Sequence, residues 1–370
     1  MRNQYSFPIL WWGASKTPMS TILYCIPFIL AVGTFASLLV GGLWTFFVLV
    51  IAFGLVPMID QLGPGSTDDL SPAEAAVRLA NPWFDRLLYA TIPVHFAILG
   101  VGIHHIVVGA YPGASLVGAV ASVGISCGIF GINIGHELGH RGDKRHHRAA
   151  QLLLFSTLYL HFFIEHNRGH HRRVATPDDP ASARRGETIY AFWFRSVFGG
   201  ARGAWYLEAA RLRHIGSSVW SFHNQMLVSL TIQGAAIVGV GLVAGPAAVG
   251  WWMVASLIGI LLLETVNYME HYGLTREKNE NGVYERVRPE HSWNSDRAAG
   301  RVVLYDLTRH SDHHAHVTRP YSMLRHSHDA PQLPMGYPAM ILLSLVPPLF
   351  FSVMDPAVDN WRSNRRSPSA

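Results

Sequence analysis

SLVGAVASVGISCGIFGINIGHELGH, residues 115–140, runs without a charged side chain as far as His136 and then closes on two histidines flanking a glutamate. The hydrocarbon core of a bilayer takes about 20 apolar residues per helix, so 115–136 reads as a membrane span. His136 and His140 stand four residues apart, which puts both imidazoles on one helical face at the end of that span. An oily helix delivering paired metal-binding side chains to a membrane boundary is a strong organising constraint.

Five further stretches qualify as spans: about 18–39, 43–60, 87–111, 224–245 and 250–269. The composition agrees, with 49% hydrophobic and only 14% charged residues in a chain of 370. The expected fold is therefore all-α and integral to the membrane, one domain of six transmembrane helices. Connections near Gly41, Pro112 and Gly245 are short, so the spans pair into three tight hairpins with both termini on one side. Of the 29 Lys and Arg residues, Arg2 and Lys16 precede the first span and Arg78 and Arg86 follow the second. All the others lie after the fourth or the sixth span. That asymmetry places the termini, the 137–223 loop and the 270–370 region in the cytoplasm, and the spans in a bacterial inner membrane.

Several smaller features fit the same picture. The opening MRNQYSFPILWWGASK lacks a cleavable signal pattern and reads as an interfacial segment with Trp11 and Trp12 at headgroup level. LLLFSTLYLHFFI (152–164) is too short to cross and reads as a buried or interfacial helix. YPAMILLSLVPPLFFSVM (337–354), interrupted by Pro347 and Pro348, lies in the interface or re-enters. Cys25 and Cys127 sit alone in apolar runs and build neither a zinc nor an iron-sulfur site. A net charge of +5 without interleaved aromatics gives no reason to expect nucleic acid.

The 21 histidines need a chemical explanation. Four clusters stand out, all at the cytoplasmic ends of spans or in the cytoplasmic loops: HELGH (His136, His140), EHNRGHH (His166, His170, His171), NYMEHYG (His271) and RHSDHHAH (His310, His313, His314). On a helix His166 and His170 share a face, with His171 turned about 100° further round. Imidazole suits Zn, Cu, Fe and Ni, and nine such ligands are too many for one ion but enough for two. A dimetal site follows, with iron favoured if the chemistry is oxidative.

HELGH alone resembles the HExxH of zinc hydrolases, but such a site has no use for the remaining boxes. ELGH matches the Glu-x-x-His of carboxylate-bridged di-iron bundles, yet no second copy occurs. A pH switch explains neither the spacing nor the carboxylates nearby. A metal transporter would line a path between opposite membrane faces, whereas all four boxes gather at one. Glu137, Glu165, Glu270 and Asp312 each neighbour a box histidine, and a carboxylate on the second ring nitrogen fixes a ligand's tautomer. A solvated or helix-pairing role is the alternative for each. Among the other histidines, His95 reads as a packed polar group in the third span, His146 and His147 as headgroup contacts, and His161 and His316 as neighbours of the boxes.

With these boxes the chain resembles the membrane alkane 1-monooxygenases, within the wider desaturase and hydroxylase superfamily. NYMEHYGL (267–274), LTRHSDHHAH (307–316) and DAPQLPMGYPAMILL (329–343) carry the likeness to the alkane branch, and it extends over nearly the whole chain. The departures are Arg141 where lysine is common and Val317 where proline is often seen. The resemblance implies a di-iron centre held by His136, His140, His166, His170, His171, His271, His310, His313 and His314. It also implies O2-dependent conversion of the terminal methyl of a medium-to-long n-alkane to a primary alcohol.

No GxGxxG-type loop or four-cysteine set is present, so no bound flavin, haem or nucleotide is expected and electrons come from outside. The resemblance implies rubredoxin, reduced by an NAD(P)H-dependent reductase. Arg141, Lys144, Arg145, Arg148, Arg168, Arg172 and Arg173 are the candidate docking residues, with lipid headgroup contact as the alternative. An alkane offers no polar handle, so an apolar slot between the spans must recognise it, with Phe53 on the second span a candidate length gauge. The competing assignments are a fatty-acyl desaturase and an aryl-methyl hydroxylase.

Overall fold

Six helices of the computed structural model are long and apolar enough to cross a membrane: Thr21–Val40, Gly42–Leu62, Trp83–Val107, Ala114–Gly139, Gln225–Ala244 and Pro246–His271. The structure describes residues 21–63 and 65–366. The expected interfacial segment with Trp11 and Trp12, and the first residues of the 18–39 span, lie outside the described residues. Among them there is no strand, only isolated bridges such as Asn294 with Gln332.

The first two spans turn sharply at Gly41, whose φ of 73° only glycine adopts without strain. The fifth and sixth turn at Gly245, with φ 86°. The fourth span is the hub, because 78% of its apolar window is buried against 11–39% for the other five. Its alanines, glycines and serines let the neighbouring helices approach closely: Gly118 faces Thr45 and Phe46, and Gly124 and Gly128 face Ile258 and Leu262 of the sixth span. His95 is buried as a packing group should be, with Nδ1 3.0 Å from Ser126 Oγ and Nε2 2.8 Å from Ser156 Oγ.

Three helical stretches among the described residues are wider than the α-helical period. Ile51–Leu55, Cys127–Asn133 and His166–His170 are π-helical, each carrying an extra residue in its turn. The second and third of these lead into the histidine boxes, and the first carries Phe53.

The 137–223 loop is more ordered than its sequence suggests. Helix Lys144–Ser156 starts on an Asp143 cap, and its apolar run does not continue as one helix. The chain breaks at Leu158, with φ 55°, and restarts at Phe162–Glu165. A 26-residue helix, Ile189–His214, then packs against Phe162–Glu165 and the sixth span. Arginines along it hide this helix from a hydropathy reading, and its buried stripe is the narrow set Phe192, Ser196, Gly200 and Ala204.

The 337–354 stretch forms two helices, Tyr337–Ser344 and Pro347–Arg366. They bury Tyr337, Met340, Phe350 and Met354 together with Tyr268 and Tyr272 of the sixth span. The segment holding the fourth box is pinned to the second span, because Asp60 accepts from Ala299 N at 2.9 Å and Gly300 N at 3.1 Å. Buried Arg309, next to His310, binds Asp296 at 3.2 Å, Asp69 at 3.0 Å and the Leu324 carbonyl at 2.9 Å. A fully desolvated guanidinium that uses its whole fork in this way fixes the backbone on which the box is built.

Candidate metal centre

The nine box histidines are all buried and meet in two adjacent groups. His136, His140, His166, His171 and His313 form one group, and His170, His271, His310 and His314 the other. In the first, Nε2 of His136 lies 2.9 Å from that of His313, His166 3.1 Å from His140, and His171 3.0 Å from His166. In the second, His170 and His314 stand 3.2 Å apart at Nε2, as do His271 and His310.

The π-helical turn determines which ring joins which group. His166 and His171, five residues apart, serve the first group, while His170 turns into the second. An α-helical spacing would have paired His166 with His170. Their rings do stack, at a centroid distance of 5.1 Å, but the two residues fall in different groups. The fourth box splits likewise: His310 and His314, one helical turn apart, face the second group and His313 the first.

These donors fit transition-metal ions. Neutral imidazole nitrogens at such separations repel unless a proton or a cation lies between them. Two nitrogens at right angles, each about 2.1 Å from one ion, would lie about 3.0 Å apart, and at a tetrahedral angle about 3.4 Å. The closest pairs, at 2.9–3.2 Å, are within the range of two nitrogens that share one ion. Imidazole donors exclude the hard cations Ca and Mg, and five donors in one group exceed what a tetrahedral zinc site uses. Burial, reinforced by the neighbouring histidines, holds His140, His166, His171, His310 and His314 well below the usual imidazole range, and His313 at about 3. Each ring is therefore neutral, with one nitrogen able to offer a lone pair to a metal.

Residues 112–344, which include all four boxes, match the family model described as fatty acid desaturase. The chain is 41% identical to an alkane 1-monooxygenase of Pseudomonas putida over 86% of its own length and 79% of that protein's. It is 42% identical to one of Ectopseudomonas oleovorans, over 86% and 80%, and 40% identical to alkane 1-monooxygenase 1 of Alcanivorax borkumensis, over 86% and 79%. The chain belongs to the alkane 1-monooxygenases of the fatty acid desaturase family. It is an integral membrane enzyme of alkane hydroxylation, as its boxes and spans indicated.

The carboxylates of this alkane monooxygenase are arranged differently from the sequence expectation. Glu137 binds Arg141, at 2.8 Å, and the Tyr321 backbone N–H. Glu165 binds Arg173 at 2.6 Å, and Asp312 binds His316 and Arg319. None of these three reaches a ring nitrogen of the nine, because a residue adjacent to a ligand on a helix points about 100° away from it. Glu270 does reach one, with Oε2 3.2 Å from His310 Nε2. It stands on the same nitrogen that faces the other rings rather than behind the ring, so it does not brace that ligand from behind.

The carboxylate that does brace a ligand is Asp179, which sequence reading missed. Its Oδ2 lies 2.9 Å from His170 Nδ1 and also accepts from Ser182 Oγ at 2.6 Å. Burial alone would lower the His170 pKa, but the Asp179 charge and hydrogen bond raise it. The bond fixes Nδ1 as the protonated nitrogen and leaves Nε2 free for a metal. ATPDDPAS (175–182) carries no regular period, so only the fold distinguishes Asp179 from its exposed neighbour Asp178.

An apolar cavity opens onto both histidine groups. His136, His166, His310 and Glu270 form its polar end, and Ile129, Leu262, Val266, Leu304 and Ile341 are among its walls. Phe53, from the π-helical turn of the second span, lines it as well. The proposed docking surface shrinks. Arg141 pairs with Glu137 and Asp85, Arg168 with Glu208, and Arg173 with Glu165. Lys144, Arg145, Arg148 and Arg172 are exposed.

Proposed function

We propose that this protein converts medium-to-long n-alkanes to primary alcohols by O2-dependent terminal hydroxylation at a histidine-ligated di-iron centre, with electrons from rubredoxin. One observation carries the reading: two buried histidine groups share the polar end of a single apolar cavity. Bound iron supplies the activation of O2 that an unreactive methyl group requires.

The chain's own residues do the rest. Nε2 atoms of the nine histidines hold the metal, and Asp179 keeps the His170 proton on Nδ1. The apolar walls orient the alkane without a polar handle, so that only its end reaches the histidines, and they exclude water from the reacting methyl. Phe53 limits how far the chain can extend.

Electrons enter from the cytoplasmic side of the inner membrane, where the excess of Lys and Arg orients the loops. The exposed Lys144, Arg145, Arg148 and Arg172 suit an acidic carrier, and rubredoxin, kept reduced by an NAD(P)H-dependent reductase, is the carrier proposed. The reading is tested by supplying octane, O2 and reduced rubredoxin to the purified protein: 1-octanol is expected. An octene product, or a requirement for an acyl carrier, would sink it.

A further inference from the structure

The sixth span carries buried polar side chains at Glu264, Asn267 and Glu270, three residues apart and so along one helical face. Glu270 touches His310 of the metal centre, whereas Glu264 bonds none of the nine histidines. Its carboxylate accepts from the Tyr159 hydroxyl at 2.8 Å, from the Ser196 hydroxyl, and from Asn267 Nδ2 at 3.2 Å. All three donors are neutral. A carboxyl group inside a spanning helix with no cation on it is expensive to keep, and such groups mark function.

Beside Glu264 lies a second cavity, the size of one water molecule. His161 also borders it, and the buried His161 Nε2 has no protein partner. Glu165 is the other carboxylate on the wall and is tied to Arg173. His166 and Asn267 are walls of this polar cavity and of the apolar one alike. The two spaces thus approach the metal centre separately, one apolar and one polar.

We propose that the polar cavity is a proton port, with Glu264 as the proton carrier; this rests on the oxidative hydroxylation proposed above. That reaction takes R–CH3, O2, two electrons and two protons to R–CH2OH and water. A C–H bond and the O–O bond break, a C–O bond forms, and the second oxygen leaves carrying both protons. In the apolar cavity the polar side chains are Asn133, Asn267, Tyr337 and the groups at the metal centre, and Glu264 stands on the polar cavity alone. Glu264 takes a proton from water in the polar cavity on a carboxylate oxygen and passes it along the Asn267 side toward the departing oxygen.

The test uses the full-length, metal-loaded protein with octane as substrate. Glu264→Gln keeps the size of the side chain and an acceptor for Tyr159, but cannot carry a proton. Gly200→Ala leaves Glu264 intact and fills part of the cavity, where the nearest atom to the new Cβ is 4.0 Å away. Both variants should keep the parental metal content and KM for octane, lose about tenfold or more in kcat, and show a larger solvent deuterium isotope effect. Glu264→Asp should recover part of the rate. In metal-free protein, the infrared carboxyl band lost in Glu264→Gln should shift in D2O.

A folded, metal-loaded variant of either kind with parental kcat and isotope effect overturns the proposal, as does a rate loss that tracks metal loss. A parent protein that makes no alcohol would fail the functional reading instead. The infrared band then decides the port alone, and a band that does not exchange overturns it.

Discussion

His170 shows how one residue ties the site together. Its Nε2 serves the second histidine group, its ring stacks on His166 of the first, and its Nδ1 is held by Asp179. Removing the negative charge while keeping the shape, in Asp179→Asn, should weaken metal binding about 10–100-fold, read by titrating metal into the metal-free protein. Unchanged affinity would show that His170 needs no anchor. The fourth box offers a sharper contrast. His313 is buried among ring nitrogens, whereas His316 is half-exposed and bonded to Asp312 at 2.9 Å. His313→Ala should therefore lose metal and His316→Ala keep most of it, by elemental analysis of the purified variants. Equal loss in both would show that His316 is also a ligand.

At the scale of elements, π-helical turns do what α-helical spacing cannot. In His166–His170 the extra residue sends neighbouring rings to different groups. In Ile51–Leu55 the same device sits beside Phe53 at the wall of the apolar cavity. Phe53→Ala should lengthen the longest alkane accepted by several carbons, measured across a chain-length series. An unchanged limit would place the gauge on another wall. The six spans and the nine histidines were legible because apolar length and ligand chemistry each allow few residue types. The π turns were not, since tertiary packing rather than local propensity selects them. Helix Ile189–His214 escaped notice because its arginines mask a narrow buried stripe. Glu137, Glu165 and Asp312 take the pairing role that was the alternative for each, because nearby arginines claim them in space.

Across the whole molecule, the fold solves a problem of access. The fourth and sixth spans end at the histidine boxes, so the metal centre lies at one end of the helical bundle, with an apolar cavity reaching it between the spans. Carrier docking belongs on the loops outside the bilayer. With Arg141, Arg168 and Arg173 engaged in partly buried ion pairs, the exposed Lys144 and Arg145, the latter also paired with Asp143 at 3.0 Å in solvent, should carry the encounter. Lys144→Glu combined with Arg145→Glu should slow reduction by rubredoxin about tenfold at low salt and much less at high salt, while octane hydroxylation driven by a small chemical reductant stays unchanged. Equal slowing with both donors would move the docking surface elsewhere.

Nine histidines in groups of five and four are proposed to hold two metal ions for oxidative chemistry. The most direct test is the metal content of the purified, active protein. Two irons per chain are expected, lost together with O2 consumption on chelation and recovered together on adding ferrous iron. A single ion per chain, or zinc with no O2 consumption, would contradict it.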